Sequence, residues 1–284
     1  MLIFSDKRCL AYEALGHPER AKRVSRTEKH LRDRHPDWKW PTFEAAVEAD
    51  LLRAHSVSHL ERLQVAEHFD ADTAYHEGIY EVASLACGAS LAAAGAAMAG
   101  SNAFALMRPP GHHAERQKAM GFCYINHVAV CALAALAKGI SRVAVWDFDA
   151  HHGNGTEAIL SGVGGALYVS VHQVPCYPGT GLVSKANCRN FPVAPEGDPA
   201  EHIRILEESW REVLHFEPEL VLVSAGFDAY EHDPITQMSL RMNDFRTLGQ
   251  WMAANKTPTM ALLEGGYSDD LPELVEAFLE GWND

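Results

Sequence analysis

The chain has 284 residues, 47% hydrophobic and 22% charged, which suits one large α/β domain with a full core. A formal charge of −14 with no Lys/Arg-rich stripe excludes a nucleic-acid binder, because neutralising phosphates takes a basic surface. The six cysteines lack a CxxC pair, no apolar run is expected to reach the roughly 18 residues that span a bilayer, and MLIFSDKRCL does not resemble a signal peptide; reduced thiols, a cytoplasmic setting and no membrane partner are expected.

Residues 1–4 read as a first strand, Gly16, His17 and Pro18 as a turn, and residues 21–32 as a basic helix with Arg20 at its start. A short strand is expected over 43–49 and a helical pattern over 58–68. Residues 79–98, rich in Ala and Leu and interrupted by Gly88 and Gly95, predict a helix buried against a sheet. After a strand over 102–107, Pro109, Pro110 and Gly111 force a loop that carries His112 and His113 side by side. Gly121, Phe122, Cys123 and Tyr124 put aromatic surface beside that loop, and a helix follows over 126–138.

Residues 143–146 form a short apolar run that ends in Asp147, the pattern of a strand buried on both faces of a parallel sheet. Beyond it, Asp149 and His151 alternate on an extended backbone and so point the same way. A carboxylate plus an imidazole suits zinc better than calcium or magnesium, although the tripeptide alone is equally compatible with a helix cap. Residues 167–171 predict another buried strand with His172 just past its end, followed by the irregular loop Tyr177 to Gly181. An amphipathic helix over 199–215 carries Ile203, Leu206, Trp210 and Leu214 along one face. A strand over 220–225 ends in Gly226-Phe227-Asp228, which brings Asp228 to the sheet edge that holds Asp149 and His151. A helix over 244–254, a strand over 259–263 ending at Tyr267, and a helix over 271–282 complete the chain. The alternation predicts a single α/β domain over 1–284, a multi-stranded parallel sheet with helices on both faces.

In such sheets ligands sit beyond the carboxyl ends of the strands. There Asp149, His151 and Asp228 make a three-ligand set with a position left open for water or substrate, as a catalytic zinc requires. His112 and His113 would move protons, Tyr267 would offer a hydroxyl to an oxyanion, and Asp147 and Asn154 would orient the histidines.

RPPGHH, GFCYIN, DFDAHHGNGT, YPGTG, SAGFDAYEHDP and LEGGY occur in the order found in the zinc-dependent histone deacetylase family. The chain resembles that family from GHPER near residue 17 to Tyr267, and its class II branch and bacterial amidohydrolase relatives in particular. The resemblance implies an arginase–deacetylase fold and a zinc-dependent deacetylase that cleaves acetyl-lysine, or a similar acylated amine, with a metal-activated water. It implies zinc on Asp149, His151 and Asp228, with His113 as general base and acid. His112 is then its electrostatic partner bonded to Asp147, and Tyr267 polarises the carbonyl. Phe122 and Tyr177 would wall the acyl tunnel beside Gly121, and Arg20 would lie near a product channel. A structural potassium ion is implied at the carbonyls around Asp147, Asp149 and His151 with Ser170 and Val171.

Asn154 stands where some classes carry Asp, which deprives His113 of an anionic partner. Ile235 stands where polyamine-specific relatives carry Glu, which favours lysine or an apolar substrate. An acetylpolyamine amidohydrolase is the alternative, with its acid drawn from Asp70, Asp72, Glu77 or Glu115. A two-manganese ureohydrolase would need carboxylates where Gly153 and Tyr230 stand, and a silent binding protein would be expected to have lost a site residue. A monomer or small homo-oligomer is expected.

Overall fold

The computed structural model describes residues 1–283. Seven parallel strands, β1 (Leu2–Phe4), β2 (Ala103–Ala105), β3 (Val143–Asp147), β4 (Ala166–Gln173), β5 (Cys188–Val193), β6 (Leu220–Ala225) and β7 (Thr259–Leu263), form one sheet. Their order is β1-β2-β7-β6-β3-β4-β5. Every residue of β2, β3, β6 and β7 is buried, which is why these strands read as apolar runs and not as alternating ones. The register sets Asp147 beside Ser170 on one side and Ser224 on the other, and Ala225 beside Leu263. β3, β6 and β7 therefore end close together, and the residues that follow them share one edge.

Nine helices cover the sheet among the described residues: α1 (Lys22–Arg34), α2 (Glu48–Ala54), α3 (Val57–Arg62), α4 (Ile79–Met98), α5 (His127–Ala137), α6 (Asn154–Leu160), α7 (Pro199–His215), α8 (Met242–Ala253) and α9 (Leu271–Asn283). On α7, Trp210 packs against Trp146 with ring centroids 4.8 Å apart, and the Trp146 indole donates to Ser209 Oγ at 2.9 Å. On α9, Phe278 sits among Phe104, Phe148 and Phe227. Helix starts follow local chemistry: Asn126 Oδ1 accepts from Ala129 N, and Asp198 caps α7 with Pro199 in its first turn.

Four expectations need correction. Residues 43–49 form no strand: the segment lies so close to α4 that a Cβ at Gly88 would meet Glu44 O at 2.0 Å, and Ala46 N donates to Ser84 O of that helix. The helix expected over 58–68 stops at Arg62, whose guanidinium satisfies the carbonyls of Val65, Glu67 and His68 in an irregular turn. His172 lies inside β4, not past its end. α4, with 20 residues and a mean hydropathy of 1.4, is long and apolar enough to cross a membrane, contrary to expectation. Its place is against β1, β2, β7 and α5, and that burial accounts for its composition.

Candidate active site

β3, β6 and β7 deliver the site. Asp149 and His151 follow β3 and Asp228 follows β6; His151 Nδ1 lies 3.2 Å from Asp149 Oδ1 and 2.9 Å from Asp228 Oδ2. All three side chains are buried, and one donor atom of each lies within 4.8 Å of the others. Glycines make room for them. A Cβ at Gly226 would sit 2.2 Å from Asp149 Oδ2, and one at Gly265 would sit 2.3 Å from Asp228 Oδ2. Backbone amides fix the carboxylates: Gly265 N donates to Asp149 at 2.7 Å and Ala150 N to Asp228 at 2.9 Å. Burial and the neighbouring Asp149 push the Asp228 carboxyl up. Two buried carboxylates converging on one imidazole nitrogen fit a dication that would relieve their repulsion, and nitrogen-plus-oxygen donors suit zinc.

The tandem histidines divide into unlike groups. Burial opposes charge on His112, but the carboxylates of Asp149, Asp147 and Glu264 prevail and push its pKa up to about 10. His112 Nδ1 meets Asp147 Oδ2 at 3.2 Å, and Tyr168 Oη donates to the same oxygen at 2.9 Å. His113 is held well below its usual value by burial, then by the charge of His112. Its Nδ1 donates to Asn154 Oδ1 at 2.8 Å, which leaves Nε2 free to accept. A charged imidazole thus stands beside a neutral one.

Of the two, His113 faces a tunnel of about 250 Å³, which is lined as well by Gly121, Phe122, Tyr177, Ile235, Tyr267, Asp72 and His151. The Tyr177 ring stands edge-on to His113 at 5.1 Å, and Phe122 does the same to Tyr267 at 5.9 Å. Gly121 is required by contact: a Cβ there would lie 2.4 Å from His113 Cδ2. Phe122 takes a left-handed φ of 66°, and its backbone N–H donates a hydrogen bond to Thr73 Oγ1 at 3.1 Å. Burial keeps the Tyr267 hydroxyl protonated, and Tyr267 N donates to Asp233 Oδ2 at 2.7 Å.

The sequence matches the histone deacetylase domain over residues 17–282. The chain belongs to the histone deacetylase family. It is accordingly an amide-hydrolysing enzyme. It is 37% identical to the histone deacetylase-like amidohydrolase of Pseudomonas aeruginosa, over 79% of this chain and 65% of that one. Its fold matches the crystal structure of the HDA15 HD domain with a TM-score of 0.93 and 28% identity, over all of this chain and 91% of the other. The acetylpolyamine aminohydrolase of Burkholderia pseudomallei matches with a TM-score of 0.89 and 26% identity, over 100% and 98%.

In this family member every expected tunnel, histidine and metal-set residue meets at one place. Arg20 does not. Its guanidinium turns outward to Asp269, while Arg23 goes inward: it donates to Gly266 O at 2.7 Å, bonds to Glu264 O, and lies over the Tyr267 ring at 4.7 Å. The helix phase held the signal, since Arg23 shares the buried stripe of Val24, Thr27 and Leu31. Two further residues were missed as site parts. Glu264 accepts from Gly111 N at 2.6 Å and His112 N at 3.1 Å and so anchors the histidine loop; burial pushes its pKa up to about 7. Glu19 grips Arg108 at 2.8 and 2.6 Å beneath that loop.

Proposed function

We propose that this chain is a zinc-dependent deacetylase that hydrolyses the amide of acetyl-lysine, or of a similar acylated amine, to acetate and the free amine. The observation that carries the reading is the convergence, along one aromatic tunnel, of a three-donor set, a neutral imidazole beside a charged one, and a phenol. Asp149, His151 and Asp228 would hold the zinc, which when bound supplies a water of lowered pKa and a Lewis acid for the amide carbonyl.

His113 takes a proton from the attacking water at Nε2, the nitrogen left free by Asn154, and returns it to the departing amine. His112, kept charged by its carboxylates, holds its neighbour neutral and ready to accept. The Tyr267 hydroxyl donates to the carbonyl oxygen as negative charge gathers there. Phe122 and Tyr177 exclude water from the aliphatic arm of the substrate, and Ile235 gives the tunnel an apolar rim. We place the structural potassium where the family resemblance puts it, at the carbonyls around Asp147, Asp149 and His151 with Ser170 and Val171; the pairing of Asp147 with Ser170 supports this. We further propose one catalytic domain spanning 1–284, acting in the cytoplasm as a monomer or small homo-oligomer.

One observation favours the alternative of an acetylpolyamine amidohydrolase. Asp72 lines the tunnel near Tyr177, where a carboxylate meets a distant ammonium. The deciding experiment quantifies bound metal and compares turnover of an acetyl-lysine peptide and an acetylated polyamine, with Tyr267→Phe as control. One zinc per chain and peptide turnover lost in the variant support the main reading. Preference for the polyamine selects the alternative, and a chain that binds no divalent metal overturns both.

A further inference from the structure

We propose that Glu115 is a positioning residue that fixes, through Asn154, which nitrogen of His113 takes the proton; this rests on the deacetylase reading of the site. Glu115 stands with Asp70, Asp72 and Glu77 among the carboxylates that a polyamine's far ammonium could use, and of these Asp72 lines the tunnel. Glu115 turns to Asn154 instead. Its Oε1 accepts from Asn154 Nδ2 at 2.9 Å, while Asn154 Oδ1 accepts from His113 Nδ1 at 2.8 Å.

The two ends of an asparagine amide are alike in shape and opposite in what they offer: the carbonyl accepts and the NH2 donates. An ionised carboxylate has no hydrogen to give. Glu115 therefore admits only the NH2 end of Asn154, which turns the carbonyl to His113. That carbonyl requires the imidazole proton on Nδ1 and leaves the lone pair on Nε2, the nitrogen at which the base works. With the amide reversed, its oxygen would face the carboxylate and its NH2 would face Nδ1. The imidazole proton would then sit on Nε2 and block the base. The other acceptors of Asn154 Nδ2 are weaker, His113 O and Met120 Sδ, each at 3.5 Å. Backbone contacts keep Glu115 in reach: its N–H donates to Lys118 O at 2.9 Å, and its carbonyl accepts from His55 Nδ1 at 3.0 Å. Across from it, Gly155 lets α6 approach so closely that a Cβ there would lie 2.3 Å from Ala114 O. None of these contacts uses the Glu115 side chain, which is half-buried, so truncating it spares the loop.

The test compares Glu115→Ala, Asn154→Ala and the double variant on an acetyl-lysine peptide and an acetylated polyamine. Glu115→Ala should lower kcat about tenfold with KM retained, because a share of the molecules then carries the wrong tautomer. In the Asn154→Ala background the same change should cost nothing more, since Glu115 has lost the group it acts through. Glu115→Gln keeps an acceptor oxygen and should recover part of the loss. Nitrogen NMR of histidine-labelled protein, with the His113 signals assigned by their absence in His113→Gln, should place the proton on Nδ1 in the parent. In Glu115→Ala a share of it should move to Nε2. A kcat unchanged in Glu115→Ala, or a loss that adds in full to that of Asn154→Ala, overturns the proposal; so does a tautomer that the variant leaves unmoved. A raised KM on the polyamine with kcat retained overturns it too, and assigns Glu115 to cation binding. If neither substrate is cleaved, the deacetylase reading falls, and the NMR readout, which needs no turnover, judges the role of Glu115 alone.

Discussion

At His113 the chemistry depends on a neutral amide where a carboxylate would also fit. Asn154 Oδ1 fixes the tautomer without adding charge, so the ring stays neutral and basic at Nε2. Asn154→Asp should raise the His113 pKa, and because the base must be unprotonated, the acid limb of kcat/KM should move to higher pH. Asn154→Ala should lower kcat without that displacement. A pH–rate profile for each variant checks the pair, and an unmoved limb in Asn154→Asp would remove His113 from the role of base. Tyr267→Phe removes one donor to the carbonyl oxygen and should lower kcat by about 10²–10³ with bound metal unchanged, as metal analysis beside steady-state kinetics would show.

At the scale of elements, the loop between β2 and α5 is fixed by contact. Gly121→Ala would drive a methyl group into His113, so activity should fall at least tenfold while the far-ultraviolet circular dichroism spectrum stays that of the parent. Among the elements that could be read from sequence are those whose burial wrote an unbroken apolar run: β3, β6 and β7, with Asp149, Asp228 and Tyr267 beyond their ends. β5 was invisible because it lies at an edge, carries Pro192 and is partly exposed. The 43–49 segment misled because its backbone partner is a helix, not a strand. Motif order located the tunnel residues, but no local pattern predicts that Arg23 reaches Gly266 O across 243 positions, or that Glu264 seats the loop of His112 across 152. Such contacts belong to tertiary structure, and only helix phase hinted at the first.

At the scale of the molecule, two buried charge clusters govern stability. Burial opposes ionisation of Glu19, but Arg108 and then Arg23 outweigh it and hold the carboxyl at about 2 against an ordinary 4.5. A depressed carboxyl favours the folded state above its unfolded pKa, a contribution on the order of 3 kcal/mol that drains away as pH falls from about 4.5 towards 2. Glu19→Gln leaves Arg108 unpaired and should cost about 3–5 kcal/mol at neutral pH. Its melting temperature should then change less than the parent's over the same acid range, which calorimetry across pH would test. Chelation should lower the melting temperature as well, because it returns Asp149 and Asp228 to mutual repulsion; restored zinc should reverse the loss. The strand order has a consequence for synthesis. β7 follows the other six strands of the sheet in sequence, yet it lies between β2 and β6 and joins the two halves of the sheet. Until Thr259–Leu263 emerges, the nascent chain holds two separate half-sheets, each ending in a bare, fully apolar rim. A message cut short before that codon stretch would release those rims permanently unzipped, so chains truncated there should be clients of chaperones and proteases, where a chain that contains Thr259–Leu263 closes the sheet.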